Sequence, residues 1–300
     1  KKLYNIVGYQ MSRIVMATAN NEHKDRLFRY IFGASENKKF LLSLCNAVGG
    51  TNYKNPEDIE ITTLTDVLYI RMKNDISFLI GCEMNLYEHQ STFNPNMPLR
   101  GLQYFAELYT AYIKENRISI YSSSLKKIPT PRYVVFYNGT VEQPDIVKLK
   151  LSDAFQVPDN TGEFEWTATM LNINYGHNKE LMEKCKPLKE YAEFIRDVRD
   201  YSQQMSLKDA VDVAIKGAEK WSCIGNFLSR SRSEVNAMLL TEFDQRAYEE
   251  DLIKQSKLDN QVIMVKNLIE STNCTPKKAM YNLKISEEAR SHILARLEKK

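Results

Sequence analysis

The chain has 300 residues, 43% hydrophobic and 26% charged, a balance that excludes a disordered or low-complexity protein. A formal net charge of +3 is too small to demand a polyanionic partner, so charge by itself assigns no nucleic acid. The five cysteines (Cys45, Cys82, Cys185, Cys223, Cys274) are odd in number and form no C-x-x-C, which argues against a disulfide framework and a zinc ribbon and for a reducing, cytoplasmic setting. No apolar run reaches the ~18 residues of a membrane span, and the visible start has no signal-peptide pattern.

Residues 1–21 read as an N-terminal arm. Residues 22–32 place Leu27, Phe28, Ile31 and Phe32 at helical spacing before Gly33, and residues 36–48 predict a second helix that ends at Gly49-Gly50. Residues 67–72 predict a first strand. The apolar runs 76–80 and 85–89, separated by Gly81-Cys82-Glu83-Met84, predict a β-hairpin. Pro98 sits in the first turn of a long helix expected to run to about residue 116. Residues 132–137 are nearly all apolar, as suits the centre of a sheet covered on both faces, and residues 147–151 and 166–173 add further strands. The order is α-β-β-β-α-β, an α/β core with a central mixed sheet expected over residues 22–180.

From about residue 178 the period turns helical: 181–204, 206–220, 234–256, 262–271, 276–283 and 287–299. An all-α C-terminal region is therefore expected over residues 181–300. Thr275 before Pro276 and Ser286 before Glu287 read as helix starts, and the last three helices suggest a helix-turn-helix-like unit. Residues 254–300 hold ten Lys or Arg against five Asp or Glu, a local net of +5.

The hairpin carries the chemistry. Side chains opposed across an antiparallel ladder share a face, so an even-numbered loop sets Asp75 opposite Gln90 and Ser77 opposite Glu88, with Leu86, Glu88 and Gln90 alternating onto that face. Two carboxylates and an amide then converge, and a hard divalent cation relieves their repulsion, which makes Asp75 and Glu88 candidate Mg2+ ligands. The bland alternative is a pair of solvated strand charges. Gln90 cannot serve as a base; its oxygen can accept a hydrogen bond from an attacking water, or the residue is a spacer. Asp25 extends the apolar stripe of the first helix, which suits either a third acid near the metal or a favourable charge at a helix N-terminus. On the long helix Arg100, Gln103, Glu107, Thr110 and Lys114 form a polar stripe; Arg100 and Gln103, nearest its start, are candidates for phosphate contact. His89 alternates away from Glu88 and reads as a core histidine, and His177 lies on a loop. Lys126, Lys127 and Arg132 form a basic rim, as many surfaces do.

An acid entering one strand and an E-x-Q in the next resemble the PD-(D/E)XK nuclease superfamily, specifically the Rpn-type recombination-promoting nucleases, a group also described as transposase-like. The resemblance extends over K-D-R-L-F-R-Y-I-F from Lys24, K-N-D-I-S-F-L-I from Lys73, Y-E-H-Q-S-T-F-N-P-N-M-P-L-R from Tyr87, V-V-F-Y-N-G from Val134 and N-Y-G-H-N-K-E-L from Asn174, roughly the first two thirds of the chain. Gln90 stands where most of the superfamily carries Lys, as in the Rpn pattern. The resemblance implies an endonuclease that uses Mg2+ or another divalent cation such as Mn2+ to hydrolyse DNA phosphodiester bonds. It also implies a role in DNA recombination in bacteria, with mobile-element or phage-defence contexts, and ligands mapping onto Asp75 and Glu88. The rival expectation is a catalytically weak nuclease-like scaffold that binds DNA or a protein partner, with the helical C-terminal region, for example Met238-Leu239-Leu240, assembling a homo-oligomer.

Overall fold

A computed structural model describes residues 26–62, 75–159 and 161–298. Asp25 and the strand expected at residues 67–72 lie outside the described residues. Helix α1 (Arg26–Phe32) buries Leu27, Phe28, Ile31 and Phe32, the stripe its spacing predicts, and α2 (Lys38–Gly49) ends on Gly50 in the left-handed region at φ 64°. Strands β1 (Glu60–Ile61), β2 (Ile76–Ile80) and β3 (Glu83–Gln90) precede the 19-residue helix α3 (Met97–Glu115), which carries Pro98 in its first turn. Strands β4 (Thr130–Tyr137), β5 (Ile146–Lys150) and β6 (Thr167–Asn172) complete a six-stranded mixed sheet of order β1-β2-β3-β4-β6-β5. The β3–β4 and β4–β6 pairs are parallel and the others antiparallel, so α3 is the crossover that parallel neighbours require.

The hairpin register differs from the expected one by two residues. Its loop is only Gly81-Cys82, with Gly81 at φ 56°, so Glu83 and Met84 join the strand and Ile80 pairs with Glu83, Ser77 with Leu86 and Ile76 with Tyr87. One further step sets Asp75, rather than Ser77, beside Glu88. Because side chains alternate with period two, this slip leaves every residue on its expected face.

Helices cover both faces of the sheet. On one, Met84, Leu86, Tyr133, Val135, Tyr137 and Met170 pack beneath Met97, Tyr104, Phe105 and Leu108 of α3. On the other, Phe28 of α1 meets the His89 ring at 4.9 Å and the Phe136 ring at 5.2 Å, while the Tyr191 hydroxyl lies 3.1 Å from His89 Nε2. His89 is thus a bonded core histidine in the layer opposite Glu88, as its alternation predicts.

Among the described residues, the elements after β6 are all helices. The helix expected over residues 181–204 is two, α4 (Lys179–Lys184) and α5 (Lys186–Ser202), parted at Cys185 with φ −124° and ψ 87°. Pro187 explains the break, since it supplies no N–H to the preceding turn and belongs in the first turn of a new helix. Ser206 caps α6 (Leu207–Ala218) through the Asp209 N–H at 3.2 Å, and a short α7 (Gly225–Arg230) follows that the periodicity does not reveal. The helices expected at 234–256 and 262–271 are one, α8 (Arg232–Thr272), because no Gly or Pro interrupts the intervening residues. Helices α9 (Pro276–Asn282) and α10 (Glu287–Glu298) end the described chain, with the Thr275 hydroxyl accepting from the Lys278 N–H at 3.4 Å.

Packing divides the protein into two compact units, Lys1–Glu242 and Phe243–Lys300. In the second, Val262, Val265, Ala279, Met280, Ile285 and Ile293 form a small core, and Lys284 takes the left-handed turn at φ 52° between α9 and α10. Among the described residues no helix is long and apolar enough to cross a membrane.

Candidate active site

Asp75 and Glu88 are 6% and 0% exposed, values that decide how they must be treated. Buried carboxylates lose their hydration and persist as ions only with close compensating partners. Glu88 has three. The Tyr133 hydroxyl donates to Oε2 at 2.6 Å, the Gln90 amide nitrogen donates to Oε1 at 2.8 Å, and the Arg100 guanidinium pairs with the same Oε1.

The backbone dictates this meeting. Parallel pairing of Leu86 with Tyr133 and Glu88 with Val135 puts the Tyr133 ring on the Glu88 face of the sheet. Helix α3 comes close above it because Gly101 has no side chain: a Cβ there would lie 2.3 Å from the Tyr133 ring. Arg100, one residue earlier, therefore reaches Glu88 and also donates to the Tyr104 hydroxyl at 3.1 Å. At the end of β3, the Asn138 N–H donates to the Gln90 carbonyl at 2.9 Å. Asn138 is in turn gripped by Arg199, which donates to its carbonyl and side-chain oxygens at 2.6 Å and to Asn174 at 2.9 Å. This ties together the ends of β4 and β6 behind the cluster.

The charge of Asp75 is felt by the groups around Glu88. Burial pulls the Arg100 guanidinium down, but Glu88, the Tyr104 hydroxyl it bonds and Asp75 outweigh it and leave Arg100 raised. Burial, then Asp75 and Glu88, push the Tyr104 phenol up to about 12, and burial with Glu88 pushes Tyr133 well above its ordinary value. Both acids thus act on the same three side chains. Burial lowers Arg29 on α1, with Asp75 opposing the shift, so a second guanidinium stands near Asp75.

The structure brings together Asp75, Glu88, Gln90 and Arg100, whereas Gln103 is exposed to solvent and Asp25 lies outside the described residues. Among the described residues, no three or more His, Cys, Asp or Glu side chains group as a metal site. Sequence patterning missed Tyr133, Tyr104 and Arg29. Tyr133 reads as one more aromatic in an apolar strand, and its alternation with Val135 and Tyr137 was the available signal. The expected basic rim stands elsewhere: Arg132 pairs with Glu83 at 2.7 Å, at the ends of β3 and β4 remote from Glu88. His177 bonds Asp145 at 2.7 Å on a separate loop. Comparison with family models, curated proteins and solved structures returned no match.

Proposed function

We propose that the chain is a metal-dependent DNA endonuclease of the PD-(D/E)XK type, similar to the Rpn nucleases and acting in DNA recombination. One observation carries the reading: two buried carboxylates, Glu88 on β3 and Asp75 immediately before the neighbouring strand β2, in an α-β-β-β-α-β arrangement, with an amide and a guanidinium beside Glu88. The order of elements around the hairpin supports the same assignment. The donor set fits Mg2+ or Mn2+, since carboxylate and amide oxygens are the hard ligands these ions prefer. Asp75 and Glu88 would hold the ion. When bound, it supplies charge stabilisation at phosphorus and a more acidic attacking water.

The other residues prepare and restrain that site. Tyr133 fixes the Glu88 carboxylate on the central strands, so its position is set before substrate arrives. Gln90 directs its amide nitrogen at Glu88, which leaves its carbonyl oxygen to accept a hydrogen bond from the attacking water. It cannot take the proton. Arg100, partly exposed beside the acids, contacts a phosphate oxygen of the strand.

One observation favours the rival, a catalytically weak scaffold: both Glu88 oxygens already have protein partners, one of them the Arg100 cation. Nicking of supercoiled plasmid separates the readings. The nuclease reading expects Mg2+- or Mn2+-dependent nicking by the full chain and its loss in Asp75→Ala and Glu88→Ala variants that remain folded. A purified Glu88→Ala protein that cuts at the parent rate contradicts it.

A further inference from the structure

We propose that Arg100 is a resident substitute for the metal ion, and that ion binding requires its guanidinium to leave Glu88 Oε1 and turn to the nucleic-acid phosphate. The inference rests on the metal-dependent reading above. Glu88 is 0% exposed, so its carboxylate persists as an ion only beside a compensating positive charge. Arg100 is the cation paired with it here.

Tyr133, Gln90 and Arg100 differ in their ability to leave Glu88. Tyr133 is buried on a central strand and Gln90 ends the same strand as Glu88, whereas Arg100 is 32% exposed in the first turn of α3 on a long, flexible stem. Its departure is also prepared. The guanidinium already bonds the Tyr104 hydroxyl at 3.1 Å and lies 5.7 Å from that ring, so it retains a partner when Glu88 is released. A divalent cation between Asp75 and Glu88 would add positive charge to a cluster that already holds Arg100. Like charge then expels the mobile guanidinium toward solvent, where the incoming phosphate is its strongest partner. Ion binding and phosphate binding are thereby coupled through one side chain, and an ion without DNA binds weakly because it must first displace Arg100.

The test is Mn2+ binding to the full chain without DNA, measured by the electron paramagnetic resonance of free Mn2+. Arg100→Gln removes the competing charge and is expected to tighten Mn2+ binding by about tenfold or more, the scale of one charge-assisted contact. Arg100→Lys keeps a cation but not the planar guanidinium, one nitrogen of which meets both Glu88 and Tyr104, and should fall between the two; it serves also if Arg100→Gln folds poorly. Arg29→Gln neutralises a cation near Asp75 without touching Glu88 and should tighten Mn2+ less than Arg100→Gln. Equal affinity in the parent and Arg100→Gln overturns the proposal while leaving the nuclease reading intact. Equal gains in Arg100→Gln and Arg29→Gln also overturn it, since the effect is then that of the local field alone. Absence of Mn2+ binding in every variant removes the metal-dependent reading and this proposal together.

Discussion

Removing Arg100 should expose how much of the fold depends on neutralising Glu88. Breaking a buried ion pair by deleting one partner costs about 3–5 kcal/mol. Here Arg100 is 32% exposed, and Tyr133 and Gln90 still donate to the stranded carboxylate, so Arg100→Ala belongs at the lower end, about 3 kcal/mol. In a Glu88→Gln background no buried charge is stranded, and the same truncation should cost about 1 kcal/mol, the scale of one ordinary hydrogen bond and some packing. The double-mutant cycle therefore predicts a coupling of about 2 kcal/mol. Urea unfolding followed by tryptophan fluorescence measures it, because Trp166 and Trp221 both belong to the unit that ends at Glu242. A coupling below about 0.5 kcal/mol would refute the argument that Glu88 is a buried ion held by Arg100.

Gly101→Ala should destabilise by about 1–3 kcal/mol and reduce nicking, because its Cβ would press on the Tyr133 ring and lift α3, with Arg100, from the sheet; denaturation and nicking assays check both effects. The Tyr104 phenol, raised to about 12 by burial and by Asp75 and Glu88, stays protonated in the folded protein after unfolded tyrosines ionise near 10. The stability this provides is complete below about pH 10 and is lost as pH rises toward 12, so Tyr104→Phe should flatten that alkaline decline in urea midpoint. Gln90→Ala should slow single-turnover cutting, with a weaker effect on DNA affinity, if the amide orients water; an unchanged rate would make Gln90 a spacer.

The hairpin was legible because its apolar alternation and Gly81 survive any reasonable choice of loop. Even the two-residue error in register left Asp75, Glu88 and Gln90 on one face, since only an odd slip reverses strand faces. The partners of Glu88 were hidden for different reasons. Tyr133 carries its hydroxyl on an aromatic ring that patterning counts as apolar, and its reach depends on the parallel register of β3 and β4, which a single sequence does not specify. Arg100 shares a helical stripe with exposed Gln103, so periodicity placed both in solvent. Side chains on a helix lean toward its N-terminus, and the close approach at Gly101 lets Arg100 lean onto Glu88 instead. The division of α4 from α5 was readable from Pro187, whereas the continuity of α8 shows that a pause in apolar periodicity does not end a helix without a breaking residue.

The most direct measurement of the central claim is an anomalous difference map from crystals of the protein soaked in Mn2+. The expected result is one ion bound by carboxylate oxygens of both Asp75 and Glu88, with the Arg100 guanidinium no longer on Glu88 Oε1. A fully soaked crystal with no ion at these acids, and Arg100 still paired to Glu88, would contradict it.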